Sequence, residues 1–404
     1  MNKDKNYNGY KSFQYLEPGS GYTEFELADE LDRVPSYEIP LSQEEEDRAY
    51  SLLENNTVVS LHDHPTLLPK NMDEIISYKR EGRAFTAYQA LSQSGLDVVF
   101  DNLMDGTNLI TSKNGWKWRD TVYDLGMRLA DIAHQDLLKV ARGVGDLVTA
   151  REQGKIAWVP TLEASTMIEN EVDRIDVLYG LGIRMMGIAY CQANSLGSGQ
   201  EEDRDGGLTS LGHRAVERMN KLGIAIDISH SGPRTSLDVI EASQDPVFLT
   251  HGGARALTEE GMPNYRRMAP DEVLKGVASS GGVIGIEAAP HQTITVNQRE
   301  HTIDSAMEHF EYCADLVGLD HVGFGPDTMF GDHVGVHHAF SDQLSIEADP
   351  SSYTEVEYVK GLENPAENFP NIVKWLVKHG YSDEEIRTVI GSNIIEALKQ
   401  VWDE

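Results

Sequence analysis

Eight short apolar, β-rich runs recur along the chain, and several of them end in a histidine, a glutamate or an aspartate. The runs are Thr57–Leu61, Leu96–Phe100, Ile156–Pro160, Arg184–Ala189, Ile224–Ile228, Val247–Thr250, Gly282–Ile286 and His321–Gly325. Most of the later ones are separated by stretches with helical periodicity, among them LGHRAVERMNKLG, SLDVIEASQ, APDEVLKGVASSG and AMEHFEYCADLVG. Strands alternating with helices make βαβ units and a parallel sheet. Right-handed crossovers over eight such units predict closure into an α/β fold of the (β/α)8 TIM-barrel type. Gly182, Gly223, Gly281 and Gly318 stand where the helices would need a left-handed cap. A single barrel with insertions accommodates all 404 residues.

Residues 1–45 are polar and weakly periodic, and are expected to form an N-terminal arm lying on the barrel or on a second subunit. Residues 46–404 would be the barrel. They include a His-, Asp- and Ser-rich insertion at 328–365, read as a long loop that shapes a pocket, and helices at the C-terminal end. With 34 basic and 66 acidic residues the formal charge is −32, which argues against nucleic acid or an anionic membrane as partner. Cys191 and Cys313 are too few for a disulfide framework, and Cys191 reads as a small packing residue. The first residues lack an apolar leader run and no stretch has the length of a membrane span, so a cytoplasmic location is expected.

Position carries the chemistry. His62-Asp63-His64 follow the first run, and Glu163, His230, His251 and Asp327 close later ones. Strand C-termini of a barrel converge on one face, so these residues would meet in space. Imidazoles and carboxylates together are a ligand set for Zn²⁺ and related ions. On an extended strand His62 and His64 point the same way while Asp63 points into the wall. Glu163 could bridge a pair of metals, with His230 and His251 on the second. One such histidine alone is more often a hydrogen-bonding residue than a ligand; the shared strand-end position of the set argues for a metal. His134, His213, His301, His309, His333, His337 and His338 fail that positional test and read as ordinary polar residues, with contact to substrate by one of them as the alternative.

The segments KIAWVPTLEAS, LYGLGIRMMGIAY, GGLTSLGHRAVERMNKLGIAIDISHSG, DPVFLTHGGARAL, DHVGFGPD and FPNIVKWLVKHGYSDEEIRTVIGSNIIEAL resemble the membrane (renal) dipeptidase family, peptidase family M19, of the amidohydrolase-like barrels. The similarity runs from about Thr57 to Val401 and is stronger after Lys155. The resemblance implies a binuclear zinc site: His62, His64 and Asp327 on one ion, Glu163 bridging, His230 and His251 on the other. It implies that Asp327 manages the proton of the attacking water, and that Arg267 holds the carboxylate of a small substrate, with Arg266 as a rival. It also implies frequent homodimers. The chain departs from the family pattern at three places. His64 stands where an aspartate is usual, Tyr190 where a histidine contacts the reacting carbonyl, and Ala164-Ser165-Thr166 where Gly-Gly-His is usual.

The expected function is a zinc-dependent hydrolase of small amides, best matched by a dipeptidase using a metal-bridging hydroxide, with Asp327 and Tyr190 catalytic and Arg267 and Tyr190 binding substrate. The alternatives are a non-peptide amidohydrolase (lactam, lactone or N-acyl amino acid), a decarboxylase on the same barrel, and a metal-binding protein without catalysis.

Overall fold

A computed structural model describes residues 5–103, 117–290, 292–344 and 358–402. Ten parallel strands form its sheet. They are β1 (Val59–His64), β2 (Val98–Asn102), β3 (Leu138–Val140), β4 (Ile156–Leu162), β5 (Met185–Gly187), β6 (Ala225–Asp227), β7 (Val247–Gly252), β8 (Ile284–Ile286), β9 (Val322–Phe324) and β10 (Thr328–Met329). The order is β10-β1-β2-β4-β5-β6-β7-β8-β9. Only Gly325, Pro326 and Asp327 separate β9, on β8, from β10, on β1, and the Asp327 N–H donates to the His62 carbonyl at 2.9 Å. The ring closes there, as a TIM-type (β/α)8 barrel. All eight expected runs are strands. The short β3 lies off the ring on β4, in register from Leu138↔Ile156 to Val140↔Trp158, and was not foreseen. It is only three residues long and half-buried, so its apolar signal is weak.

Helices start and stop where local chemistry dictates. Ser42 and Glu45 form a reciprocal capping box on helix Gln43–Asn55, and Ser382 and Glu385 do the same on Asp383–Arg387. Gly182 and Gly223 cap their helices in the left-handed region. Gly187 is required for another reason. A Cβ there would sit 1.9 Å from the Glu163 carbonyl oxygen, so its absence lets β5 close against the end of β4. The insertion after β9 differs from the expected loop, since His333–Leu344 is helical; its remainder at 345–357 lies outside the described residues.

One apolar layer joins the outer faces of the strands to the surrounding helices. A second fills the barrel interior with Val59, Leu61, Val98, Phe100, Val159, Met185, Ala225 and Phe248. Ile394, Leu398 and Trp402 of the last helical segment join that interior layer, and the Trp402 ring stacks on Phe100 at 6.0 Å. The polar strand ends occupy the opposite mouth.

The described part of the N-terminal arm packs on the arm's own barrel. Asp131, 1% exposed, accepts from the Tyr10 hydroxyl and the Phe13 N–H at 2.7 Å each and from the Tyr88 hydroxyl at 2.9 Å. Asp131→Ala would strand three buried donors, and urea unfolding should register a loss of about 3 kcal/mol.

Candidate metal centre

Six polar side chains converge at the C-terminal mouth of the ring. His62 and His64 leave β1 with Nε2 atoms 3.3 Å apart. Asp63 between them turns into the wall, where its Oδ1 accepts the Thr328 N–H at 2.9 Å and ties β1 to β10. Asp327, on the β9–β10 link, brings Oδ1 to 2.9 Å from His64 Nε2 and 3.4 Å from His62 Nε2. On the far side Glu163 Oε1 lies 2.7 Å from His230 Nε2, 3.2 Å from His251 Nε2 and 3.9 Å from His62 Nε2. The stacked rings of His62 and His251, 3.6 Å between centroids, join the halves. The candidate donor atoms fall into two overlapping groups, His62–His64–Asp327 and His62–Glu163–His251, each within 4.8 Å.

Proton placement decides whether these contacts suit a cation. His64 Nδ1 lies 3.2 Å from the Asn102 carbonyl, which only accepts, so Nδ1 holds a proton and Nε2 of the neutral ring is left for a cation beside Asp327. The Thr250 hydroxyl donates to Asp227 Oδ2 at 2.8 Å, so it accepts from His251 Nδ1 at 2.9 Å. His251 Nε2 therefore also presents a lone pair, facing His230 Nε2 at 3.0 Å and Glu163. Asp327 Oδ1 is buried yet accepts no well-directed hydrogen bond among the described residues. Lone pairs crowded onto lone pairs repel one another unless a cation lies between, and the outward ring nitrogens are fastened as metal-ligating imidazoles require.

Burial, reinforced by the charge of Arg267, holds His230 well below the usual imidazole range; burial and the neighbouring His62 and Arg267 do the same for His251. Both rings are thus neutral donors. Burial lifts Glu163 to about 7, with His62 and His64 opposing. Burial also pushes Asp327 upward, but the His62 and His64 rings and the charge of His333 outweigh it and hold Asp327 well below the carboxylate range.

Residues 46–403 match the model of the membrane dipeptidase family, peptidase family M19. The chain belongs to this family. It is 26% identical to dipeptidase tcpJ of Claviceps purpurea (strain 20.1) over 289 residues, 70% of this chain and 60% of the relative. It is also 26% identical to dipeptidase verJ of Clonostachys rogersoniana over 283 residues, 68% of this chain and 64% of the relative. The chain therefore spans less than two thirds of the length of either curated relative. A solved structure described as an amidohydrolase from Pseudomonas aeruginosa superposes with a TM-score of 0.72 at 26% identity, covering 88% of this chain and 99% of that one. An M19 dipeptidase structure, dipeptidase AC, superposes at 0.67 with 19% identity over 86% of this chain and 99% of its own, a likeness of fold.

Within this M19 barrel the remaining expected residues fall as follows. Tyr190 lies over the His230 ring with centroids 4.2 Å apart, and burial, with the charge of Glu163 next, raises its phenol well above the usual range. Arg267 is buried at the mouth, whereas Arg266 is half exposed and donates to the Glu201 carbonyl and Asp203. The geometry thus separates the two arginines. Cys191 packs with Sγ 3.8 Å from His230 Nδ1. Ser165 donates to the Gly187 carbonyl at 2.6 Å and Thr166 accepts from Asn194, so the segment after Glu163 braces loops.

Three residues near the centre were not singled out from the sequence. Asn102 Nδ2 lies 3.4 Å from His62 Nε2, and Glu287 forms an ion pair with Arg267. Both stand at strand ends, so the rule that picked out the candidate ligands would have picked them out had amides and every strand been included. His333 is 3% exposed and acts electrostatically on Asp327. It comes from a helix in the insertion, where no strand-end signal exists.

Proposed function

We propose that this chain is a zinc-dependent hydrolase of small amides acting on dipeptide-like substrates. The observation that carries the reading is the meeting of the Nε2 atoms and buried carboxylate oxygens of His62, His64, Glu163, His230, His251 and Asp327 at 2.7–3.9 Å. His62, His64 and Asp327 would hold one ion, His230 and His251 the other, with Glu163 between. Ions bound there supply water activation and carbonyl polarisation.

The chain's own groups supply the rest. Asp327, ionised and facing that space, accepts the water's proton and delivers it to the departing amine nitrogen. Tyr190 keeps its proton and is a hydrogen-bond donor to the oxygen that gains charge. The dipeptidase names of the two curated relatives support a peptide bond as the target. A second reading keeps the centre and changes the bond, to a lactam, a lactone or an N-acyl amino acid. The tyrosine at 190 favours it, because a phenol donates a hydrogen bond without the charge an imidazolium brings. A cytoplasmic location and a homodimer belong to the same proposal.

Removal of metal tests the reading directly. Protein dialysed against a chelator should lose turnover of a dipeptide panel and regain it with added Zn²⁺, with metal content following activity. Failure to hydrolyse any dipeptide with any divalent ion would sink the peptide version, and turnover of a lactam, lactone or acyl amino acid instead would establish the second reading. Release of CO₂ from a carboxylated substrate would mark a decarboxylase.

A further inference from the structure

Arg267 was expected to grip a substrate carboxylate, but its guanidinium already holds groups of its own chain. Nη1 donates to the Ser229 carbonyl at 2.6 Å and Nη2 to the His251 carbonyl at 2.9 Å. Nη2 also forms an ion pair with Glu287 Oε2. The two nitrogens that would make a bidentate fork on an incoming carboxylate are therefore engaged.

Glu287 sits just beyond β8, fixed by its own N–H donating to the Gly252 carbonyl at 3.0 Å. It is 2% exposed, and neither carboxylate oxygen accepts a well-directed hydrogen bond among the described residues. The next residue, Ala288, donates its N–H to the Pro326 carbonyl at 2.8 Å, which sets Glu287 at the same mouth as Asp327. Burial raises Glu287 to about 7, Arg267 opposes this, and the charges of Asp327 and Glu163 add to it. A buried carboxylate with spare acceptor capacity is costly unless something donates to it. A second free carboxylate beside Arg267 would meet Glu287 at close range in a poorly screened space and be repelled.

We propose that Glu287 is a specificity-determining residue, which cancels the charge of Arg267 and offers its acceptor oxygens to the substrate. The class of substrate follows: small amides whose Arg267-facing end carries a hydrogen-bond donor, as a carboxamide, hydroxyl or ammonium, in place of a free carboxylate. The assignment rests on the amide-hydrolase reading above and sharpens its substrate.

The test compares alanyl-alanine, alanyl-alaninamide and alanyl-ethylenediamine as substrates of the zinc-loaded full chain, wild type and Glu287→Gln. Wild type should favour the two donor-ended compounds over the free acid by at least about tenfold in kcat/KM. Glu287→Gln should shift the acid-to-amide ratio toward the acid by a further factor of about ten or more, chiefly through KM. Preference of the wild type for the free acid overturns the proposal without any variant, and so does a ratio unmoved by the substitution. Binding of N-acetylalanine and N-acetylalaninamide, followed by calorimetry on both proteins, separates this proposal from the parent reading. A reversal of binding preference without turnover would leave Glu287 assigned and the hydrolase reading refuted, whereas equal binding of both probes by both proteins would refute the assignment.

Discussion

Glu163→Gln should reduce turnover at least about 100-fold and leave at most one metal ion per chain. Partners one step removed from a metal already cost about 10- to 100-fold when substituted, so a carboxylate in direct contact costs at least the upper figure. Glu163 is the group most exposed to this argument, because its Oε1 lies within 2.7–3.9 Å of His230, His251 and His62. It is the only carboxylate ion-paired with both halves of the centre among the described residues. The metal-free variant should be no less stable than the metal-free wild type. The new amide offers both a donor and an acceptor to His230 Nε2, 2.7 Å from the present carboxylate oxygen, and so can pair with either tautomer of that neutral ring. Metal-to-protein ratio and the Tm rise on adding Zn²⁺ are the readouts, since an ion that binds only the folded state raises Tm by mass action. A variant that retained two ions and wild-type turnover would remove Glu163 from the shared position.

The convergence of the candidate ligands was legible because barrel geometry turns a one-dimensional pattern into proximity. His62, Glu163, His230, His251 and Asp327 are far apart in the sequence, yet each follows an apolar run, and a closed parallel ring brings the ends of such runs together. The direction of Asp63 was legible for the same reason, since alternation along an extended strand sends it to Thr328. What escaped has physical reasons. The three residues of β3 have too little periodicity to register, and β10 is two residues long. The helix at His333–Leu344 was read as a loop, because the His- and Asp-rich composition hides its period. Arg267 was located at the mouth, but its engagement by Ser229, His251 and Glu287 depends on a long connection between β7 and β8 folding back, which no local pattern encodes.

Conformation also explains why one link in the chain is so constrained. Asp327 has a φ of +58°, one of four non-glycine residues in that region among those described. The turn is held by its N–H on the His62 carbonyl at 2.9 Å and by β10 pairing on β1. The strained backbone aims its carboxylate back across the ring toward His62 and His64. Backbone strain and the proposed proton acceptor therefore coincide at a single residue, which decides how it should be substituted.

Asp327→Asn is the substitution that isolates the proposed proton-transfer role. Asparagine tolerates the left-handed region about as well as aspartate, so the turn and the bond to His62 should survive. Alanine would add backbone strain of order 1–3 kcal/mol to the chemical loss and confuse the two. With asparagine the side chain keeps its shape and an acceptor oxygen, but it cannot take up a proton. Removing a general base costs about 10²- to 10⁴-fold, and the loss should fall on kcat with KM nearly unchanged. Metal content should remain close to wild type, because His62 and His64 still converge with Nε2 atoms 3.3 Å apart and Glu163 is untouched. The pattern distinguishes three outcomes. Loss of kcat with metal retained assigns Asp327 to proton transfer. Loss of both means that its main contribution is to hold the ion. Activity within tenfold of wild type would place the proton acceptor elsewhere, and Glu163, lifted to about 7 by burial, would be the next carboxylate to test.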